Sequence, residues 1–173
     1  TRYEAVPRSE IGRKLVEGTN LIAHISVDST YVLANGASVT ELRYLSASGL
    51  AMAAFFFEID LTSPDIALEV CTPQNKPIGV GFEPVTQQAM HVDAEGHRVL
   101  GGTNADFGSE TQKGPQGIFW KDGVAQKTVF NTTPARPRSF FAIRTDKRAV
   151  AAAAADYDEI AASKVIYEAV GGG

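Results

Sequence analysis

The sequence has little cysteine, no excess of positive charge and no long hydrophobic run. Its single cysteine, Cys71, excludes an intrachain disulfide and any metal site built on a CxxC pair. The formal net charge of −4 provides no basic surface, so no nucleic-acid partner is expected. The longest apolar run, residues 49–57, is about half of what a membrane span needs, and no transmembrane segment is predicted.

What the sequence does contain is typical of a globular domain. The 173 residues are enough to bury a core, and 44% of them are hydrophobic while 21% are charged. The chain begins at Thr1, without a methionine or a signal peptide, which fits a mature exported protein or a trimmed chain. One domain, or one domain with an appendage, is therefore the default expectation.

Turn signals and alternating apolar residues predict an α+β fold, mostly antiparallel β-sheet with a few short helices. Ser9 is expected to cap an N-terminal helix, and Asn35-Gly36 to close a hairpin. Residues 1–38 then form an appendage and residues 39–173 the main domain. The strands predicted next are 39–45, 50–61 and 66–71, in which the phenylalanine run belongs to the core and Cys71 is buried. The later elements predicted are a helix at 87–95 capped by Thr86, a hairpin closed at Asp122-Gly123, a second hairpin at 140–155, a helix at 156–163 and a strand at 165–170.

The most informative stretch for function is residues 98–124. A predicted strand starting at Arg98 leads to Asn104, Asp106 and Phe107, and a Gly-Pro-Gln-Gly loop follows at 114–117. A strand that ends in polar residues and opens into a glycine-bounded loop often presents those groups to a ligand, because rigid elements position such loops. The alternative interpretation is an Asx-turn followed by a surface loop.

Two further groups of polar residues are candidate binding sites. His91, Asp93, Glu95 and His97 cannot converge at helical pitch, so a solvated helix end is favoured over a metal site. Arg136 and Arg138 bracket a proline, an arrangement that suits an anion clamp or, alternatively, two surface arginines. No metal and no cofactor are predicted.

The order of the motifs resembles the phosphodiester glycosidase family, which includes the enzyme that uncovers mannose 6-phosphate by removing a capping N-acetylglucosamine. The resemblance covers residues 40–173. Two positions depart from the family pattern: Ala105 stands where the family has glycine, and Gly108 where it has a second aromatic residue. The motifs that carry the resemblance are Asn-x-Asp-Phe at 104–107, Gly-Pro-Gln-Gly at 114–117, a Lys-Asp-Gly hairpin, Arg-Pro-Arg-Ser-Phe-Phe-Ala-Ile at 136–143 and Ala-Val-Gly-Gly-Gly at 169–173.

The family continues past the position of Gly173 into a later Asp-Gly-Gly-Gly-Ser motif. The resemblance therefore implies a fold that is incomplete at its C-terminus. It also implies, as a partner, a C-terminal segment of the same protein that completes the domain.

The resemblance implies an exported enzyme that hydrolyses a sugar 1-phosphodiester of the N-acetylglucosamine type, with a glycan phosphodiester as its partner and without a cofactor. It implies Asp106 and Asn104 as a catalytic pair at a strand end, and Arg136 and Arg138 as phosphate ligands. Two other functions stay open: a non-catalytic glycan- or cell-surface-binding module, and a structural domain. The other substrate-binding residues implied are Phe107, Gly114, Gly117 and Gly172.

Overall fold

The computed structural model describes residues 5–76, 81–109, 111, 113–131 and 137–172. These residues form short α-helices and antiparallel sheets, which confirms the predicted α+β class. The chain folds into two compact units, Thr1–Ile66 and Ala67–Gly173. The boundary expected after residue 38 falls inside a strand, whereas the two units divide at Ile66. Among the described residues, no helix has both the length and the apolar character needed to cross a membrane.

The first unit is one helix with a three-stranded antiparallel meander. Ser9 caps the helix as predicted, because its Oγ accepts a hydrogen bond from Gly12 N at 2.9 Å. The strands lie in the order β1-β2-β3, and the predicted turn at Asn35-Gly36 joins the first two. The elements are α1 (Glu10–Gly18), β1 (Ile22–Ala34), β2 (Ala37–Ser46) and β3 (Ala51–Ile59).

A buried carboxylate fastens the helix to the sheet. Asp28 of β1 is 6% exposed, and its Oδ2 accepts hydrogen bonds from Arg8 N at 2.6 Å and Ser9 N at 2.9 Å. Burial acts to raise the pKa of Asp28, but the hydrogen bonds from Ser9 and Arg8 outweigh it, so the pKa lies below its ordinary value. Gly12 lies against this carboxylate, and a Cβ there would collide with Oδ2.

We expect Gly12→Ala to lower the free energy of unfolding by about 1–3 kcal/mol, since the added methyl would push Asp28 away from the two amides. Gly18→Ala in the same helix is the matched control, because a Cβ at Gly18 would meet no atom within 4 Å. Hydrogen exchange of the α1 amides measures the difference. Equal protection in the two variants would show that the close approach at Gly12 is not restrictive.

The phenylalanine run of β3 was predicted to lie in the core, and for Phe55 and Phe57 this is wrong. Phe55 is 64% exposed and Phe57 is 39% exposed. Their partners across the ladder are Glu41 and Val39, whereas buried Leu42 lies opposite Ala54 on the other face. A period of two identifies which side chains share a face, but it does not identify which face is buried.

The second unit is built around an antiparallel sheet with the order β7-β6-β10-β8-β9. Its strands are β6 (Phe119–Lys121), β7 (Val124–Lys127), β8 (Ser139–Arg144), β9 (Ala149–Ala153) and β10 (Ile166–Gly172). The other described elements are a 3-10 turn (Pro73–Asn75), α2 (Val85–Val92), a short pair β4 (Gly108–Ser109) and β5 (Gly114–Pro115), a second 3-10 turn (Ala154–Asp156) and α3 (Tyr157–Ala162). Both predicted hairpins are confirmed, and the alanine run at 149–153 is a strand because it pairs with β8.

The core of the second unit lies on one face of this sheet. Tyr157 of α3 is 5% exposed, and its hydroxyl accepts a hydrogen bond from Trp120 Nε1 at 2.9 Å. The rings of Phe130, Phe140 and Tyr157 pack with centroids 5.6–6.1 Å apart. Phe141 and Phe119, which both pair with Val170, point to the opposite face. The buried cluster contains Ile118, Phe140, Ala142, Tyr157, Ile166 and Ala169.

Two predicted strands do not form. Residues 66–71 are irregular, and at Val70 the backbone is bound by side chains: Val70 N donates to Glu168 Oε2 at 3.1 Å and Val70 O accepts from Lys121 Nζ at 2.8 Å. Residues 98–100 likewise form no strand, and Val99 N donates to Asp93 Oδ1 at 2.9 Å.

The helix predicted at 87–95 is also corrected. It runs from Val85 to Val92 with Pro84 at its cap position, so Thr86 lies inside it.

Candidate functional site

A pocket of about 450 Å³ lies on the face of the sheet opposite the buried cluster. Its size falls within the range of small-molecule sites. Phe119, Phe141, Ile143 and Val170 give it an apolar side formed by β6, β8 and β10. The rest of its wall comes from α2, the short pair β4 and β5, the first 3-10 turn and irregular segments. The polar or titratable residues that line it include Glu69, Cys71, Thr72, Glu83, Asn104, Asp106, Lys113 and Glu168.

Asp106 forms part of the pocket wall and is held by donors of this chain. Its Oδ1 accepts from Phe107 N at 2.7 Å and from Arg138 Nη1 at 3.1 Å, and its Oδ2 accepts from Gly117 N. The side chain of Asp106 is 2% exposed. These three donors hold the carboxylate of Asp106 in a fixed position at the pocket wall.

Arg138 belongs to the scaffold around Asp106. Its side chain is 11% exposed, and Nη2 donates to Gln116 Oε1 while Nε donates to Asn131 O at 3.3 Å. The guanidinium also lies 5.9 Å from the centroid of the Phe107 ring. The contacts of Arg138 therefore fix the loop at residues 114–117 next to Asp106.

Gly117 and Gly171 bring β10 into direct contact with this loop. A Cβ on either glycine would lie 2.7 Å from the other residue's Cα and within 3.0 Å of Asp106 Oδ2. Only glycine fits at these two positions while the carboxylate stays in place. Gly117 thus has a clear steric role in the site.

The remaining site residues predicted from the sequence are only partly brought together. Asn104 and Gly114 line the pocket with Asp106, whereas Phe107 is 65% exposed and Gly172 pairs with Ser139 in the sheet. Arg136 lies outside the described residues.

The expectation that the Asp106/Asn104 pair ends a strand is wrong. Residues 98–107 are irregular. The carboxylate of Asp106 is held in place by hydrogen bonds to its own side chain and not by a β-ladder.

The two positions that depart from the family pattern are both accommodated. Ala105 is not among the described non-glycine residues with positive φ, so alanine is unstrained there. At Gly108, the ring of Phe82 occupies the space that a Cβ would need. Phe82 is 59% exposed and lines the pocket, so it places an aromatic ring beside Gly108 although the sequence has none at that position.

Positive charge gathers around the loop that carries Gly114 and Gln116. Lys113 lines the pocket, and Lys127 Nζ donates to Pro115 O at 2.6 Å. Burial lowers the pKa of Lys127, with Asp106 acting to raise it and Arg138 to lower it. The positive charges of Lys127 and Arg138 therefore both lie close to the carboxylate of Asp106.

Glu168 is a pocket residue that the sequence reasoning missed. It is 1% exposed, and its Oε1 accepts from Asp122 N at 2.9 Å while Oε2 accepts from Val70 N. Burial raises the pKa of Glu168, and the two backbone hydrogen bonds oppose that effect. The available signal was a lone glutamate in the otherwise uncharged strand Ile-Tyr-Glu-Ala-Val.

The two histidines between residues 91 and 97 each contact a glutamate. His91 Nε2 lies 3.0 Å from Glu83 Oε1, and His97 Nε2 lies 3.0 Å from Glu69 Oε1. Nowhere in the described ranges do three His, Cys, Asp or Glu side chains gather as a metal site would require.

No protein-family model matches this sequence, and comparison with curated proteins gives no significant match.

Proposed function

We propose that the pocket of the second unit binds and hydrolyses a sugar 1-phosphodiester of the N-acetylglucosamine type, in an exported protein. The observation that supports this best is the concentration of Lys113, Lys127 and Arg138 around one pocket loop in a chain whose net charge is −4. Cations beside this loop, next to an apolar, aromatic wall, suit a ligand that has both a phosphate and a sugar ring, while the carboxylates of Glu69, Glu83, Asp106 and Glu168 line the same pocket.

The phosphate would lie at the end of the pocket formed by Lys113 and Gly114. Lys113 supplies a cation there, and Arg136 keeps the phosphate-binding role implied by the resemblance. Arg138 acts indirectly, because its three nitrogens contact Asp106, Gln116 and Asn131. Its role is to hold the loop and the carboxylate in position.

The sugar ring would lie against the aromatic wall, with Phe82 beside Gly108 and Asn104 as a hydrogen-bonding group. A phosphomonoester leaves without much protonation, so the reaction needs stabilisation of an oxocarbenium-like centre and activation of one water. The fixed charge of Asp106 supplies the first. Glu168, whose pKa is raised by burial, is the candidate base for the second.

We expect Asp106→Asn to lower turnover of a GlcNAc phosphodiester at least tenfold, which corresponds to about 1.4 kcal/mol. Lys113→Gln should mainly raise KM, because it removes a charge that binds the phosphate before and during the reaction. Release of phosphomonoester is the measurement, and a thermal melt checks that each variant is folded. Asp146→Asn, in an exposed turn, is the control. Unchanged turnover in folded Asp106→Asn would rule out the assigned role of Asp106.

A non-catalytic glycan-binding module is the second candidate, and the low exposure of Asp106 favours it. Such a module would bind the phosphodiester in a titration and raise the melting temperature without releasing phosphomonoester. A structural domain would show neither binding nor a change in melting temperature. Binding, detected by titration or by the melting temperature, together with phosphomonoester release therefore separates the three functions.

A further inference from the structure

The ring of His97 bridges two segments that both contribute to the pocket wall. Its Nδ1 lies 2.9 Å from Val92 O at the end of α2, and its Nε2 lies 3.0 Å from Glu69 Oε1. Glu69 lines the pocket, as do Val85, Gln88 and Ala89 of α2. The contact thus connects the segment around Glu69 to the helix on the other side.

Both contacts of His97 require a proton on the ring nitrogen. A backbone carbonyl and a carboxylate are acceptors, so Nδ1 and Nε2 must each donate, and only the imidazolium has two N–H groups. A neutral ring carries one N–H and can keep only one of the two contacts. Loss of one proton therefore separates α2 from Glu69 or frees the ring from Val92.

The charged groups near the ring single out Glu69 as its electrostatic partner. Asp93, at the end of α2, pairs with Arg98 at 3.0 Å, and Glu95 is exposed. The hydrogen bond to Glu69, supported by the one to Val92, raises the pKa of His97 above its ordinary value. His91, in contrast, pairs with Glu83, which precedes the same helix.

We propose that His97 and Glu69 form a pH-sensitive clamp that holds two walls of the pocket together in acid and releases them as the pH rises. The proposal goes beyond the hydrolytic function and does not depend on it. Because the folded pKa of His97 is raised, the clamp contributes fully below the unfolded value of about 6.5. It is lost as the pH increases through the folded pKa.

The test is hydrogen exchange of residues 66–72 and 85–92, corrected for the intrinsic pH dependence of exchange. Protection in the wild-type protein should fall by about threefold between roughly pH 5.5 and pH 8.5, the factor expected for one half-exposed ion pair. His97→Gln should abolish this fall, since glutamine does not titrate. His91→Gln, within α2, should retain it.

A second measurement identifies the partner. The pKa of His97, followed by NMR, should decrease in Glu69→Gln, because the substitution removes the carboxylate that stabilises the imidazolium. The proposal is overturned if wild-type protection is the same at both pH values, or if His97→Gln shows the same fall. An unchanged His97 pKa in Glu69→Gln would also overturn it, since the clamp would then lack its partner.

Discussion

Replacing Asp106 with alanine is expected to lower the free energy of unfolding of the second unit by roughly 3–5 kcal/mol, the cost of removing one partner from a buried ion pair. The substitution would leave the guanidinium of Arg138, 11% exposed, without its carboxylate. It would also leave the amides of Phe107 and Gly117 without their acceptor. Since Asp106 connects Phe107, Gly117 of the loop at residues 114–117, and Arg138, its loss should loosen that loop and the segments beside it.

The only tryptophan provides the measurement. Trp120 lies in β6 and donates to Tyr157 of the core, so its fluorescence during denaturation reports on the second unit. Asp146→Ala is the matched control, because Asp146 is 44% exposed and its pairing with Arg144 should contribute less than about 1 kcal/mol. Equal destabilisation by the two substitutions would contradict a special role for the buried pair.

A double-mutant cycle then separates the pair from the rest of the network. Asp106→Ala and Arg138→Ala should be strongly non-additive, because each removes the interaction that the other also removes. Additive effects would show that the two side chains stabilise the loop independently, through the backbone amides in one case and Gln116 in the other.

The second large effect is expected from Gly171→Ala, which should cost roughly 3 kcal/mol because the added carbon would overlap the Gly117 backbone as well as the buried carboxylate of Asp106. The Cβ would lie 2.7 Å from Gly117 Cα, so β10 and the pocket loop would have to separate. The separation would also weaken the hydrogen bond from Gly171 N to Ile118 O, now 3.0 Å long.

Gly172→Ala, at the next position of the same strand, is the control. Its Cβ would approach only the hydroxyl of Ser139, at 3.2 Å, and that side chain can rotate away. Denaturation followed through Trp120 compares the two variants. If Gly171→Ala is as stable as Gly172→Ala, the close approach of the two backbones does not constrain the fold.

Local sequence signals predicted much of the fold, because a hairpin depends on a few consecutive residues. Asn35-Gly36 and Asp122-Gly123 mark two turns that the structure contains, and both Gly36 and Asp122 adopt the positive φ that such turns require. Ser9 caps α1 for the same reason: the hydroxyl and the amide that it accepts from are three residues apart. These elements need no knowledge of distant contacts.

The pocket could be predicted only in part. The sequence singled out Asn104, Asp106 and Gly114, which do line it, because polar residues next to glycine loops are common in sites. It did not predict Glu168 or Phe82, which reach the same pocket from elsewhere in the chain. Nor could it show that Arg138 is engaged with Asp106, since 32 residues separate them.

What the sequence alone determined is the α+β class, the hairpins and the helix cap, all of which follow from interactions between near neighbours. Only the tertiary structure decided which face of β3 is exposed and that residues 66–71 are not a strand. It also decided that the carboxylate of Asp106 is buried among donors. The last two depend on long-range partners in the second unit: Val70 with Glu168, Gly117 with Gly171, and Asp106 with Arg138. The alternation of apolar and polar residues shows which side chains can share a face of a strand, but it does not show which distant residue each of them contacts. That is decided only in the folded chain.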